Sequence, residues 1–286
     1  RKLPKIFDYN YRIRYYEREE TKNINSIKHP AVREAFKLFN IKEGLDLTHH
    51  GDLPARSGIG SSSSFSVGLL HALSFLKGEI YSKNDLAKKS INFEQNILNE
   101  AVGSQDQVAA TYGGFNKIDF SLKNEFICNQ IPISESKLKI LETHIQLYFT
   151  DVTRESSEIA KKNIDNIKHN KNYLKEMKEI VNEALGIISS KSNKNFISNF
   201  SSLLNEQWQI KKKLEKSITN DYLEDIYSNA MKLGALGGKI LGSGGGGFFL
   251  FFINPDKQDY ITKKLKMKSV KIKLSNEGSQ IIHYSY

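Results

Sequence analysis

The chain has 286 residues, 39% of them hydrophobic and 10% aromatic, a composition that buries a core and excludes a disordered protein. No apolar run approaches the ~20 residues needed to cross a bilayer, the longest being Phe248–Ile253, and the single cysteine, Cys128, excludes an intrachain disulfide. The net charge of +10 is spread along the chain in lysines rather than gathered into a basic cluster interleaved with aromatics, so a Lys-rich surface accounts for it.

Neither a membrane nor a nucleic acid is therefore expected as a partner, although a positive field suits anionic phosphates. The first residues, RKLPKIFDYN, carry no signal peptide, and the cytoplasm is the expected compartment. They carry no initiator Met either, so the native N-terminus is expected to be missing.

In chain order, Tyr11–Tyr16 alternates and predicts a strand, and Lys28–Phe39 predicts a helix with Val32, Ala35, Phe36 and Phe39 on one face. Leu45–His50 is a second strand. It runs into a Gly/Ser loop, with a helix expected from about Ser63 to Leu76. Ser82 caps another helix, predicted to reach about Glu100, and GSQDQVAATYGG holds a short helix between glycines. Strands follow at Phe115–Phe120, Phe126–Ile131 and His144–Phe149. Thr153 to about Ser217 is mainly helical, with a break at Lys191–Asn195. A helix over Tyr222–Leu233 stops at Gly234, a glycine turn enters a buried strand, and the tail predicts one helix (Asp256–Lys266) and two strands. Strands and helices mix without a steady βαβ alternation, which favours an α+β fold over a doubly wound sheet.

Three features carry chemistry. The first is Pro54-Ala-Arg-Ser-Gly58-Ile-Gly60-Ser-Ser-Ser-Ser64. Its glycines let backbone approach a ligand, and the helix behind it offers unpaired N–H groups and a positive dipole end. Together these make an anion site, most simply for a polyphosphate. Serine hydroxyls there can add hydrogen bonds or ligate Mg²⁺, a hard cation that prefers oxygen. The Walker and dinucleotide patterns are both absent. A plain Gly/Ser connector with a serine cap would carry the same residues.

The second feature is a pair of carboxylates. Asp106 falls near the start of a short helix, where the dipole favours the ionised form, and can accept or orient a hydroxyl proton. A helix-capping role is the competing account. Glu94, inside the predicted helix SINFEQNILNE and flanked by Phe93 and Ile97, is expected near its buried face, and buried carboxylates are paired or bound to metal; a solvated position is the alternative. The third feature is Gly242-Ser-Gly-Gly-Gly-Gly247, an entropically costly run that implies a close backbone approach, to a phosphate or to the first loop.

PARSGIGSSSS, Glu94 with Asp106, and KILGSGGGGFF occur in the order found in the GHMP kinase superfamily, which this chain resembles over nearly its whole length. Ile59 stands where that family's phosphate motif has Leu, and Ser63 where it has Ala. Within the superfamily, HHGDLPARSGIGSSSS, FEQNILNEAVGSQDQVAATYGGFNKIDF and YFTDVTRESSEIA look most like the D-glycero-D-manno-heptose 7-phosphate kinase group.

The resemblance implies two domains: residues 1–137 like the second domain of ribosomal protein S5, and a ferredoxin-like residues 138–286, with ATP at the junction. By position, Pro54, Arg56, Ser57, Gly58, Ile59, Gly60, Ser61, Ser62 and Ser63 would line the nucleotide, and Gly244, Gly245 and Gly246 would support them from the other domain. Ser62 and Glu94 would ligate Mg²⁺, and Asp106 would face the acceptor hydroxyl of a sugar or sugar phosphate.

Arg154 is a candidate contact to a substrate phosphate, with an exposed helix start as the favoured alternative. The resemblance leaves room for a homodimer. It also leaves room for another sugar or mevalonate as acceptor, and for a silent ligand-sensing relative. The family's upstream GGGTD-like motif has no counterpart before YRIRYY, so the sequence is expected to begin downstream of it.

Overall fold

The computed structural model describes residues 1–54, 57–121, 125–152, 166 and 169–284. Arg56 and Arg154, and the first part of the helix expected from Thr153, lie outside the described residues. The architecture is α+β. Strand β1 (Tyr11–Arg14) pairs antiparallel with β2 (Arg18–Thr21) and parallel with β3 (Leu45–Thr48), in the order β2-β1-β3. Alternation along β1 turns Tyr11 and Ile13 into the core and Arg12 and Arg14 to the other face.

Helix α1 (Pro30–Leu38) starts on a proline, which lacks the N–H that a first turn leaves unpaired anyway. It packs Val32, Ala35 and Phe36 against that sheet and against α2 (Ser61–Leu76). In α3 (Lys83–Asn92) the Ser82 hydroxyl accepts from Asp85 N at 3.1 Å, the cap read from the sequence. The helix expected to about Glu100 runs on without a break from Lys83 to Ile97. A π segment at Phe93–Ile97 ends it, closed by Leu98 N on the Phe93 carbonyl. Then come α4 (Gln105–Tyr112) and a hairpin of β4 (Asn116–Phe120) with β5 (Phe126–Gln130).

A helix not anticipated from the sequence, α5 (Glu135–His144), follows. Ser134 caps it, and Lys137 tethers it by donating to the carbonyls of Ile187, Ile188 and Ser190 at the end of α6 (Lys171–Ser189). The second half is built on a four-stranded antiparallel sheet in the order β7-β8-β6-β9, made of β6 (Ile145–Phe149), β7 (Gly237–Ile240), β8 (Phe248–Phe252) and β9 (Ser269–Lys271). Strand β8 is covered on both faces. Phe249 and Phe251 join Trp208, Tyr148 and Tyr227, and Phe252 joins Leu141 and Phe196.

Helices α7 (Phe196–Leu214), α8 (Asp221–Leu233) and α9 (Gln258–Leu265) complete this half. Gly234 ends α8 in the left-handed conformation, as read from the sequence. Among the described residues the second tail strand is not found. After β9 the chain leaves the sheet and returns to the first half, where Ser279 N donates to Ala110 O at 2.9 Å and Gly114 N to Ser275 O at 2.8 Å. Those bonds take the backbone groups a further strand would have used. Among the described residues no helix is long and apolar enough to cross a membrane.

Candidate phosphate-transfer site

The Gly/Ser loop and the glycine run meet. Gly58 and Gly242 lie back to back with positive φ (79° and 64°), so close that a Cβ on Gly242 would stand 2.7 Å from the Gly58 Cα. No other residue fits that contact. Ser57, fully buried, accepts from Phe248 N at 3.1 Å, and a Cβ on Gly247 would strike its carbonyl at 2.2 Å. The expectation that something requires close backbone approach at the second loop is met by the first loop. Gly245 N donates to Ile218 O at 2.8 Å and Gly247 N to Val152 O at 2.7 Å. Side chains on Gly244 and Gly246 would meet those same two carbonyls.

Gly60 (φ 74°) turns the chain directly into α2, which therefore starts at Ser61, two residues earlier than expected. Ser61, Ser62 and Ser63 form its first turn. No side chain caps this end, so its leading N–H groups are left for a ligand. Pro54, exposed, accepts the Ser57 hydroxyl at 2.6 Å, and Ile59 is half-buried between the two glycines.

Successive helix residues are about 100° apart, and this separates the serines. Ser62 is exposed. Ser63 is buried and donates to Glu94 Oε2 at 2.9 Å. The hydroxyl hydrogen-bonded to Glu94 is thus that of Ser63, while the Ser62 hydroxyl stays exposed. Glu94 is fully buried, so the solvated alternative fails. Its Oε2 also accepts from Gln107 Nε2, while its Oε1 has no partner among the described residues. A buried carboxylate oxygen without a donor is costly unless a cation meets it. An oxygen-preferring divalent ion therefore fits this residue, which continues the buried face of Ala87, Ser90 and Ile91.

Asp106, at the second position of α4, stands against the loop: a Cβ on Gly60 would lie 3.6 Å from its Oδ2. It does not cap its helix, since Ser104 is the N-cap residue. The dipole was expected to favour its ionised form. Burial instead raises its carboxyl above 3.8, against the Gln105 side chain and the charge of Lys211. Lys211 on α7 was not singled out from the sequence, being one of three consecutive lysines. Its ammonium donates to the Gly242 carbonyl. Burial pushes it down to about 7, helped by the neighbouring Lys239, whose own ammonium burial lowers to about 8. Glycine-lined phosphate space, an inward carboxylate with a free oxygen, and a second carboxylate at the loop suit the transfer of a phosphoryl group to a hydroxyl.

Comparison with known proteins agrees with the geometry. Residues 25–114 match the model described as GHMP kinases N terminal domain, and residues 188–268 match GHMP kinases C terminal. The D-glycero-alpha-D-manno-heptose 7-phosphate kinase of Campylobacter jejuni is 33% identical over 217 residues, 76% of this chain. The match spans 63% of that relative's length. Among solved structures, a D-glycero-D-manno-heptose 1-phosphate kinase from Bacteroides thetaiotaomicron superposes with a TM-score of 0.68 at 21% identity, over 96% of this chain and 84% of that one. The mevalonate kinase of Methanococcus jannaschii superposes with a TM-score of 0.70 at 20% identity, over 93% and 85%. These two likenesses concern the fold.

Proposed function

The chain belongs to the GHMP kinase family, and from that membership we propose that it transfers the terminal phosphoryl group of ATP to a hydroxyl of a sugar or sugar phosphate. D-glycero-D-manno-heptose 7-phosphate is the acceptor we favour, because the Campylobacter relative carries that name. The observation that carries the reading is the placement of Asp106 against Gly60, at the turn that opens an uncapped helix. The nucleotide binds between the halves we assign as residues 1–137 and 138–286, with its phosphates on Gly58, Gly60, Ser61 and Ser62. Pro54, Arg56, Ser57, Ile59 and Ser63 complete that lining, and Gly244–Gly246 support it from behind.

Glu94 Oε1 and the exposed Ser62 hydroxyl would hold Mg²⁺, with Ser63 and Gln107 fixing the carboxylate through its other oxygen. When bound, that ion supplies charge neutralisation at the phosphates. The first-turn N–H groups of α2 do the same from the protein side. Asp106 orients the acceptor hydroxyl and takes its proton as the oxygen attacks in line. Its raised pKa makes it a better acceptor than a solvated aspartate.

The test is ATP consumption by the purified chain against a panel holding the heptose phosphate, other sugars and mevalonate. Phosphorylated product from a sugar or sugar phosphate is the expected result. Preference for mevalonate would reassign the acceptor, and ATP binding without product on any acceptor would reject the catalytic reading.

A further inference from the structure

Lys211 is half-buried near the end of α7, with its ammonium on the Gly242 carbonyl. Gly242 is the residue that backs onto Gly58, and Asp106 stands against Gly60, two residues further along the same turn. The ammonium therefore sits at the seam of the two loops, within electrostatic reach of Asp106. Among the described residues, no carboxylate lies within ion-pairing distance of Lys211 or of Lys239 on β7.

Resting on the kinase reading above, we propose that Lys211 is the cation that the C-terminal half sets against the terminal phosphate of the bound nucleotide, opposite Asp106. The transferring group must pass between the phosphate loop and the hydroxyl at Asp106. A charge anchored on the backing loop and felt by Asp106 lies at that end of the phosphate chain, not at the nucleoside end. Lys211 and Lys239 are neighbouring, half-buried ammonium groups, and burial lowers the pKa of both. A phosphate meeting them offsets the cost of that burial.

A purely structural lysine would staple Gly242 and contribute equally to every nucleotide. Calorimetric titration of the full chain with ATP and with ADP separates the two roles. Lys211→Met is expected to weaken ATP about tenfold or more while leaving ADP within about twofold, as loss of one charged hydrogen bond to the terminal phosphate would. Lys211→Arg should recover most of the ATP affinity. Lys213→Met, the same charge change two residues away where the lysine stacks on Tyr173, should alter neither nucleotide. An equal loss for ATP and ADP in Lys211→Met overturns the inference, as does unchanged ATP binding in that variant. A wild-type chain that binds neither nucleotide overturns the kinase reading and this inference with it.

Discussion

The β1–β3 sheet and the loop junction each enclose an aspartate, in opposite settings. Asp46, on β3, is buried, and burial alone would raise its pKa. Hydrogen bonds from Arg12, Arg1 and Arg14, the closest at 2.6 Å, outweigh that and bring it down to about 2. Asp106 has only the Gln105 side chain and the charge of Lys211 against its burial, and burial prevails. The lysines divide the same way. Among the described residues, Lys137, buried against α6, has three carbonyl acceptors, whereas Lys211 at the junction has one. Where charge is fully matched, the chain gains a fixed fold. Where it is left short, at Asp106, Glu94 Oε1 and Lys211, lie the groups we propose meet the ligand and the reacting hydroxyl.

The comparison breaks most sharply at Asp106. Asp106→Asn should lower turnover at least about 100-fold, the size of a lost general base, while the melting temperature stays near that of the wild type. Near-normal turnover would erase the distinction between the two aspartates. Next comes Glu94→Gln, which should raise the Mg²⁺ needed for half-maximal turnover by at least about tenfold, read from a metal titration at fixed ATP. An unchanged Mg²⁺ requirement would make the free oxygen a feature of the fold alone.

On the matched side, Lys137→Met leaves the carbonyls at the end of α6 without their donor and should cost about 1–3 kcal/mol in urea unfolding, with turnover of the folded protein unchanged. The smallest effect concerns Asp46. A carboxyl held at about 2 against an ordinary 3.8 contributes stability that is complete above the ordinary value and lost as pH falls through about 2. The stability gap between the wild type and Asp46→Asn should therefore be constant from pH 7 to 5 and close as pH falls from about 4 toward 2. A gap independent of pH would mean the arginines do not hold that carboxylate charged.

Much of this was legible in the residue pattern. The serine cap of α3, the glycine stop of α8 and the aromatic strand β8 depend on local backbone chemistry and hydrophobic pattern, and all three were read correctly. Helix α5 carries a local signal only in its Ser134 cap, and what fixes it is distant: the Lys137 ammonium finds its acceptors at the end of another helix, 50 or more residues on. The second tail strand failed for the same reason in reverse. The backbone around Ser275–Ser279 found its partners on and beside α4 rather than in the sheet.

At the site, the sequence by itself determined the two glycine runs, the serine turn, Glu94 and Asp106, because positive φ, open helix ends and acidic side chains are properties of individual residues. Only the tertiary structure decided which of them meet. It turned Ser63 rather than Ser62 onto Glu94, and it locked Gly242 against Gly58. From three consecutive lysines it took Lys211 to the junction, sent Lys212 to Glu224 and laid Lys213 on Tyr173. The reason is rotational. Neighbours on a helix point about 100° apart, so identical residues acquire different partners once the helix is docked, and nothing in their order says which face will be inward.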